Sequence, residues 1–180
     1  MTAAKRLSQA ISEGDGISLI VAVDGPDAAR AAEAGGADAV VLYEHDEARL
    51  DEVSQATTLP VVFYFEEGRA GAVRGADACV VHGDTEWLEH VHGELTQAVE
   101  VAIRIDEDEQ LEDVLVRFDP EILVLGSGDG RLDDVLALLS DVPAGKLAVA
   151  ELGDAARAEI EELERAGCDA VLVRAAHPAA

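Results

Sequence analysis

The chain repeats one local pattern eight times, and this repeat constrains the fold more than any other feature of the sequence. Each repeat is a short apolar run, a polar or glycine residue and, in all but the last repeat, a segment with helical periodicity, with a period of roughly 20–25 residues. Residues 146–153, which read Lys-Leu-Ala-Val-Ala-Glu-Leu-Gly, show the pattern clearly. Continuous apolar strands that alternate with amphipathic helices predict parallel strands buried on both faces. The predicted strands are 17–23, 39–43, 61–65, 78–81, 99–105, 122–125, 147–150 and 170–173, and the predicted helices between them are 28–34, 47–56, 70–74, 85–95, 107–116, 132–139 and 155–166.

Eight such units favour a closed (βα)8 barrel of the TIM type over an open doubly wound sheet. The alternative, an open flavodoxin-like or response-regulator-like sheet, would contain about five or six strands. The chain has 180 residues, fewer than the ~250 typical of such barrels, so we expect minimal loops. In this prediction residues 1–16 form an N-terminal helix and turn, and residues 17–180 form a single barrel domain. No helix is predicted after the last strand, and we expect either the helix at 1–13 or a second subunit to cover the gap.

The net charge of the chain is strongly negative. It carries 38 acidic and 13 basic residues, a net charge of −25, and its only lysines are Lys5 and Lys146. Such a charge makes a compact chain repel itself at low ionic strength, and salt relieves the repulsion because the screening length falls to about 3 Å at 1 M. Acid-rich, lysine-poor usage resembles the proteins of organisms that keep molar salt in their cytoplasm. We therefore predict a halophilic type of protein whose folding depends on salt.

The same charge bears on partners and compartment. Nucleic acids and anionic membranes both require a basic face, so the sequence predicts neither as a partner. No apolar run approaches the ~20 residues of a membrane span, and no charged-then-apolar leader opens the chain. Cys79 and Cys168 fall inside apolar strand runs, which predicts buried thiols in a reducing compartment. The sequence thus predicts a soluble, cytoplasmic protein.

A barrel of this type carries its active site at the carboxyl ends of the strands. Glu151 and Arg104 follow directly on apolar runs, where alternation points one residue in two into the mouth of the barrel. Glycines after strands six and seven precede helices, where backbone N–H groups bind phosphate in barrels of this class. The polar residues predicted at strand ends are Asp24, Glu44, His45, Glu66, His82, Arg104, Asp106, Ser127, Glu151 and Arg174, and the glycines are Gly126, Gly128, Gly130 and Gly153.

Sequence motifs for cofactors are absent. The chain has no glycine-rich P-loop with Lys-Ser/Thr, no Cys-x-x-Cys and no Gly-x-Ser-x-Gly nucleophile elbow. We therefore predict no cofactor and no metal. An alternative prediction is a divalent-metal site, because carboxylates and histidine at strand ends are of the types that bind cations. That site would comprise Asp24, Glu44, His82 and Glu151.

Two stretches near the end of the chain resemble a known family. Residues 149–153, Val-Ala-Glu-Leu-Gly, and 169–174, Asp-Ala-Val-Leu-Val-Arg, are similar to the last two strands of indole-3-glycerol phosphate synthase, which read Val-Ser-Glu-Ser-Gly and Asp-Ala-Val-Leu-Val-Gly. The resemblance extends through 100–111 and 59–61 to about residue 17, so it covers most of the chain. Residues 78–84, Ala-Cys-Val-Val-His-Gly-Asp, resemble instead the Gln-Leu-His-Gly strand of phosphoribosylanthranilate isomerase. Both resemblances imply a phosphate-binding (βα)8 barrel of the kind used in tryptophan biosynthesis.

The chain departs from both families at their catalytic positions. Of the acid–base set of the synthase only Glu151 remains, together with Gly153 of the phosphate turn. The base cysteine and acid aspartate of the isomerase are absent. The resemblance therefore implies fold and ancestry, and it argues against either family's own reaction. In the synthase the positions of Asp24 and Tyr64 are lysines, that of Arg104 is a glutamate, those of Gly126 and Ser127 are an asparagine pair, and that of Arg174 is a glycine.

The sequence leaves three hypotheses of function. The first is a barrel that binds a small phosphorylated metabolite and acts on it as a lyase or isomerase. Its catalytic residues would be Glu151, Arg104 and Tyr64, and its phosphate-binding residues Gly153, Arg174 and Gly128. The second is a noncatalytic barrel or partner subunit, which predicts a homo-oligomer or pairing with another barrel. The third is the divalent-metal-dependent barrel enzyme described above.

Overall fold

The computed structural model describes residues 5–71 and 73–174. Its eight strands are all parallel, each pairs with the next in sequence, and β8 pairs with β1 to close the barrel. At the closure Ser18 lies opposite Ala170 and Ala22 lies opposite Arg174. The predicted eight-stranded α/β barrel is thus confirmed. The strands are β1 (Ser18–Ala22), β2 (Ala39–Tyr43), β3 (Val61–Tyr64), β4 (Ala78–Val81), β5 (Glu100–Ile105), β6 (Ile122–Leu125), β7 (Leu147–Glu151) and β8 (Ala170–Arg174).

Seven α-helices are found in the described residues. Apolar residues on one face of each helix are buried, such as Leu111 and Val114 in α5, as amphipathic patterning predicts. The N-terminus of α4 is capped by Asp84, whose carboxylate accepts the backbone N–H of Trp87 at 2.8 Å. The helices are α1 (Arg6–Glu13), α2 (Pro26–Ala34), α3 (Leu50–Ala56, preceded by a 3₁₀ helix at Glu44–Arg49), α4 (Thr85–Leu95), α5 (Asp108–Arg117), α6 (Leu132–Asp141) and α7 (Arg157–Arg165).

The connection between β3 and β4 differs from the prediction. The helix predicted at 70–74 is wrong, because no helix occurs in the described residues of this connection. Gly68 and Gly75 adopt positive φ angles of 70° and 91°, a backbone conformation that ends a helix. The few residues between these two glycines, which also include Gly71, are too short a run to form a stable helix.

Side chains of the strands alternate between two cores. The outward side chains pack under the helices and include the aromatic pair Phe63 and Phe65, whose rings meet edge to face at 4.9 Å. The inward side chains at the bottom and middle of the barrel are mostly small, such as Ala39, Ala78 and Ala102. Small inward residues suit a barrel with only 3% aromatic residues, since the interior is filled by layers of side chains.

The first helix, α1, closes the bottom of the barrel. Leu7 and Ile11 of this helix are buried in the inner core. The carboxylate of Glu100, at the start of β5, accepts the backbone N–H groups of Leu7 at 2.7 Å and Ser8 at 3.2 Å. It thereby caps the N-terminus of α1. The expectation that this helix substitutes for an outer helix after β8 is therefore wrong. Residues 175–180, which come after β8, lie outside the described residues.

Two further sequence predictions concern burial and membranes. Cys79 and Cys168 are buried and unpaired with each other, and burial raises the pKa of their thiols to about 12 and about 11. Both thiols are therefore protonated and unreactive at neutral pH. None of the helices that the structure describes is long and apolar enough to cross a membrane.

Candidate functional site

The polar side chains at the carboxyl ends of the strands converge on the barrel mouth. On β2, β3 and β7 the inner-core residues Val41, Val62 and Val149 are each followed two positions later by a polar residue at the end of the strand. Because side chains alternate along a strand, these later residues point into the mouth. The mouth residues reached in this way are Tyr43, Tyr64 and Glu151, and the same alternation from Ala102 on β5 and Leu172 on β8 adds Arg104 and Arg174.

The three predicted catalytic residues are in direct contact. The Tyr64 hydroxyl donates to Glu151 Oε2 at 2.6 Å, and Arg104 Nη1 donates to the same hydroxyl at 3.0 Å. Arg104 Nη1 also lies 3.5 Å from Glu151 Oε2. The three side chains come from β3, β5 and β7, so the barrel closure brings them together across the mouth.

Electrostatics fix the charge state of two members of this contact. Burial raises the pKa of Tyr64 well above its ordinary range, and the neighbouring Glu151 charge raises it further. Tyr64 therefore remains a neutral hydrogen-bond donor. Burial alone would lower the pKa of Arg104, but Tyr64, Glu151 and Asp106 raise it, and the net direction is upward. Arg104 therefore stays a cation fixed between acceptors.

The contact extends to a fourth and a fifth residue. Arg104 Nε donates to Asp106 Oδ1 at 3.0 Å, and His82 Nε2 lies 2.7 Å from Asp106 Oδ2. The hydrogen bond with His82 lowers the pKa of Asp106, and the charge of Arg104 lowers it further. Gln110 of α5 accepts the backbone N–H of Asp106 at 3.1 Å and donates to Gly83 O at 3.2 Å. One connected set of hydrogen bonds thus runs from His82 on one side of the mouth to Glu151 on the other.

A cavity of about 340 Å³ opens on the side of β6, β7 and β8. We call it the glycine cavity, because Gly128, Gly130 and Gly153 form much of its wall. The Arg174 guanidinium also lines it, and Arg174 has no carboxylate within 4.0 Å in the described part of the chain. The predicted phosphate-binding residues Gly128, Gly153 and Arg174 are thus brought together. The other lining residues are Tyr43, Arg104, Ser127, Asp129, Glu151 and Leu152.

A second cavity of about 210 Å³ lies on the side of β2, β3 and β4. We call it the histidine cavity, because His82 lines its inner wall and His45 its rim. Tyr43 and Arg104 line both cavities, so the two cavities adjoin at these residues. The ring of Tyr43 lies 5.0 Å from that of Tyr64 and is parallel to that of His45 at 6.0 Å.

A larger cavity, of about 670 Å³, lies away from the mouth, beside the connection from β3 to β4, whose described residues contain no helix. Its charged residues are engaged in loop contacts: Arg69 pairs with Glu44 at 2.8 Å, and Glu44 also accepts the Glu66 backbone N–H. We place the candidate site at the mouth instead, because the hydrogen-bonded acids and bases and the shifted pKa values are there.

The predicted metal alternative is not supported by the structure. Among residues 5–71 and 73–174, no three His, Cys, Asp or Glu side chains are grouped so that they could hold a metal ion. Asp24 is exposed, and Glu44 is bonded to the loop as described. His82 and Glu151 contact Asp106 and Tyr64 instead. The four proposed ligands therefore do not form one site.

Two residues of the mouth were absent from the predicted site. Tyr43 was assigned only to a strand, although the alternation of Ala39, Val41 and Tyr43 already points it inward. Gln110 gives no signal in the sequence, because it reaches the site from an outer helix. Ser127 was among the candidates, but its hydroxyl accepts the backbone N–H of Arg131 and so shapes the loop.

Sequence comparison finds indole-3-glycerol phosphate synthases. No family model matches the chain. The chain is 28% identical over 165 residues to indole-3-glycerol phosphate synthase of Geobacillus thermodenitrificans (strain NG80-2). It is 27% identical over 169 residues to the same enzyme of Geobacillus sp. (strain WCH70). Each match covers 81% of this chain and 64% of the relative, so the chain spans less than two thirds of the length of these relatives.

Structure comparison finds barrels with other reactions. Oxaloacetate acetylhydrolase matches with a TM-score of 0.73 at 13% identity, over 98% of this chain and 81% of that chain. 2,3-Dimethylmalate lyase matches with a TM-score of 0.69 at 16% identity, over 96% and 81%. N-acetylmannosamine-6-phosphate 2-epimerase from Clostridium perfringens matches with a TM-score of 0.64 at 13% identity, over 87% and 86%. The structural likenesses establish a TIM barrel fold, and the sequence is similar to that of indole-3-glycerol phosphate synthase.

Proposed function

We propose that this barrel binds a small phosphorylated metabolite in the glycine cavity and acts on it as a lyase or isomerase, by a reaction other than ring closure to an indole. The observation that carries the proposal is the position of Arg174. Its guanidinium lines a cavity walled by glycine loops and has no carboxylate within 4.0 Å in the described residues, although the chain holds 38 acids. A planar, permanently charged guanidinium suits bidentate binding of a phosphate group.

The glycines of the glycine cavity also favour anion binding there. A Cβ atom built on Gly128 or on Gly153 would meet nothing within 4 Å, so the backbone there borders open space. The turn at Gly153 precedes α7, and helix-preceding turns offer backbone N–H groups to anions. The carboxylates that face the cavity do not oppose this, because Glu151 is compensated by Tyr64 and Arg104, and Asp129 is exposed to solvent.

The residues next to the glycine cavity support proton transfer. Glu151 lines the cavity and holds a hydrogen bond from Tyr64, so its other oxygen is available to a substrate. Arg104 lines the same cavity and carries a fixed positive charge. A carboxylate base beside a fixed cation suits removal of a proton and stabilisation of the resulting anion.

Tyr64 argues against the reaction of indole-3-glycerol phosphate synthase in this chain. In the synthase family the position of Tyr64 is a lysine, which acts as an acid and binds a carboxylate. Burial raises the pKa of Tyr64 and keeps it neutral, so its hydroxyl is a weaker acid than an ammonium group and carries no charge with which to bind a carboxylate. The names of the relatives and of the 2-epimerase refer to phosphorylated compounds, which supports the substrate class and leaves the reaction open.

The proposal is tested by thermal unfolding in molar KCl with inorganic phosphate, glycerol phosphate and ribose 5-phosphate. A ligand at 100 times its Kd stabilises the folded state by about 2.7 kcal/mol, which is readily seen as an increase in Tm. We expect this increase in the wild type and its loss in Arg174→Ala. The matched control is Arg165→Ala, which removes another exposed arginine at the end of α7 and should leave the increase intact. No increase in the wild type with any of these compounds would refute the proposal.

A noncatalytic binding barrel is the second candidate. One observation favours it. Arg104 contacts Asp106, Tyr64 and Glu151, so its charge is compensated by neighbouring side chains without a substrate. In that case phosphate compounds would raise the Tm through Arg174, but no compound bound there would be converted. Product analysis by ³¹P NMR after incubation with each stabilising compound separates the two candidates.

A further inference from the structure

We infer that the mouth contains a second proton-transfer pair, His82 with Asp106, which works with Glu151 in an isomerisation of a phosphorylated α-hydroxy aldehyde or ketone. This inference rests on the proposed function, because the phosphate group is what holds the substrate in the mouth. It narrows the reaction from lyase or isomerase to isomerase, and it adds a catalytic residue, His82, for which neither sequence resemblance provides a role.

The first support is the geometry of the pair. His82 Nε2 lies 2.7 Å from Asp106 Oδ2, and the His82 side chain is 18% exposed. Asp106 is fixed from two other directions, by Arg104 Nε on its second oxygen and by Gln110 on its backbone N–H. An imidazole held against a fixed carboxylate has a defined orientation, and its other nitrogen can take up and return a proton. His82 therefore has the arrangement of an acid–base residue, and Asp106 that of its positioning residue.

The second support is the placement of the two proton-transfer groups. Glu151 lines the glycine cavity, His82 lines the histidine cavity, and Arg104 lines both. A ligand whose phosphate lies at Arg174 reaches Glu151 within the glycine cavity, then Arg104, and then His82. The two groups thus line adjoining cavities on either side of a fixed cation, and one extended substrate that occupied both cavities would meet both groups.

This arrangement performs a proton shift without a leaving group. The Glu151 carboxylate removes a proton from the carbon next to the carbonyl, and the C–H electron pair forms a carbon–carbon double bond. The carbonyl oxygen takes a proton from the His82 imidazolium, which gives an enediol, and Arg104 stabilises the negative charge that develops on that oxygen. His82 then removes the proton of the neighbouring hydroxyl, and Glu151 returns its proton to the former carbonyl carbon. Both residues end in their starting states, and the aldehyde has become a ketone.

The surroundings of Glu151 favour return of the proton. Tyr64 already donates to Glu151 Oε2, and Tyr64 is only 5% exposed, so no exit to solvent runs along that side. In the proposed isomerisation Glu151 holds the abstracted proton until it returns it to the substrate, so loss of that proton to solvent is unfavourable. The contact of Tyr64 with Glu151 Oε2 limits such loss on that side of the carboxylate.

The test is NMR in D₂O with ribose 5-phosphate, glucose 6-phosphate and glyceraldehyde 3-phosphate, and with ribose and glucose as unphosphorylated controls. We expect the corresponding ketose phosphate from at least one phosphorylated probe and none from the controls. Glu151→Gln and His82→Gln should each lower kcat by about 100-fold or more, the usual contribution of an acid or base. Asp106→Asn should lower kcat less than His82→Gln does and leave KM unchanged, because it disturbs the orientation of the imidazole without removing the imidazole. The matched control His90→Gln, an exposed histidine of α4, should retain the wild-type rate.

The outcomes separate this inference from the proposed function. Stabilisation by phosphate compounds that depends on Arg174, with no ketose from any probe, would overturn the isomerase and leave phosphate binding intact. Ketose formation that His82→Gln does not slow would overturn the role of His82 alone. The absence of any phosphate-dependent stabilisation would refute the proposed function, and the inference with it.

Discussion

The Arg104 guanidinium occupies space that is free because Gly126 has no side chain. A Cβ atom built on Gly126 would lie 2.8 Å from both Nε and Nη2 of Arg104, and 2.9 Å from Oδ1 of Asp106. Gly126 follows the inward residues Ile122 and Val124 of β6, so it holds the next inward position at the mouth. The hydrogen bonds that link β5 to the rest of the mouth therefore depend on the absence of a side chain on β6.

Gly126→Ala should displace Arg104 and destabilise the protein. Contacts below 3.0 Å force a neighbour to move, and this neighbour is held by three partners. Overpacking of this kind costs about 1–3 kcal/mol. Urea unfolding in molar KCl measures the loss. The matched control is Gly93→Ala in α4, where a Cβ meets nothing within 4 Å and alanine should stabilise the helix by roughly 0.5–1 kcal/mol. Equal effects of the two substitutions would contradict the packing argument.

Asp106→Asn should destabilise the protein at neutral pH but not in acid. The carboxylate bonds His82 and Arg104, and a hydrogen bond to a charged group contributes about 1.5–3 kcal/mol. The folded-state pKa of Asp106 lies below the model-compound value of 3.8. Its contribution is therefore complete above about pH 5 and disappears as the pH falls below 3.8 through the folded-state pKa.

The contribution of Asp106 is measured as the difference in unfolding free energy between the wild type and Asp106→Asn. Protonation of the many surface acids changes the stability of both proteins alike, so each pH requires the wild type and Asp106→Asn side by side. The gap in unfolding free energy should be present at pH 5 and above and should close below pH 4. A gap that persists unchanged in acid would show that the carboxylate charge does not stabilise the fold.

The periodicity of the sequence predicted most of the fold. Eight apolar runs gave all eight strands, because parallel strands buried on both faces must be continuously apolar. The connection from β3 to β4 was mispredicted, since Ala70 and Val73 suggest a helix that the glycines on either side do not permit. The role of α1 was also mispredicted, because burial of Leu7 and Ile11 in the inner core is a tertiary contact that no local pattern reports.

The sequence predicted which residues belong to the candidate site better than it predicted the contacts between them. Glu151 and Arg104 follow apolar runs, so alternation alone placed them at the mouth. Tyr64 entered only through the family resemblance. The hydrogen bonds that join these residues depend on how the strands are staggered around the barrel, and a sequence does not give that stagger. The close approach of Arg104 to Gly126 also depends on this stagger, so the sequence does not predict it.

Stability should increase strongly with salt. The net charge is −25, and repulsion between exposed acids falls as the screening length shortens from about 10 Å at 0.1 M to about 3 Å at 1 M. We expect a higher Tm and a more cooperative transition in 2 M KCl than in 0.1 M KCl. Sucrose is the control, since it favours burial without screening charge. A melt that does not change with KCl, or one that sucrose raises equally, would contradict the halophilic hypothesis.

The bottom of the barrel should depend on α1 for its stability. Leu7 is 2% exposed in the inner core, and a buried leucine replaced by alanine costs about 2–5 kcal/mol. Glu100→Gln should cost about 1 kcal/mol, because it removes a charged cap from the backbone N–H groups of Leu7 and Ser8. Val116→Ala is the control, because Val116 is 86% exposed. Urea unfolding in molar KCl gives all three values. A small loss for Leu7→Ala, equal to that of the control, would mean that α1 is not bound in the barrel in solution, and the capping role of Glu100 would then be refuted as well.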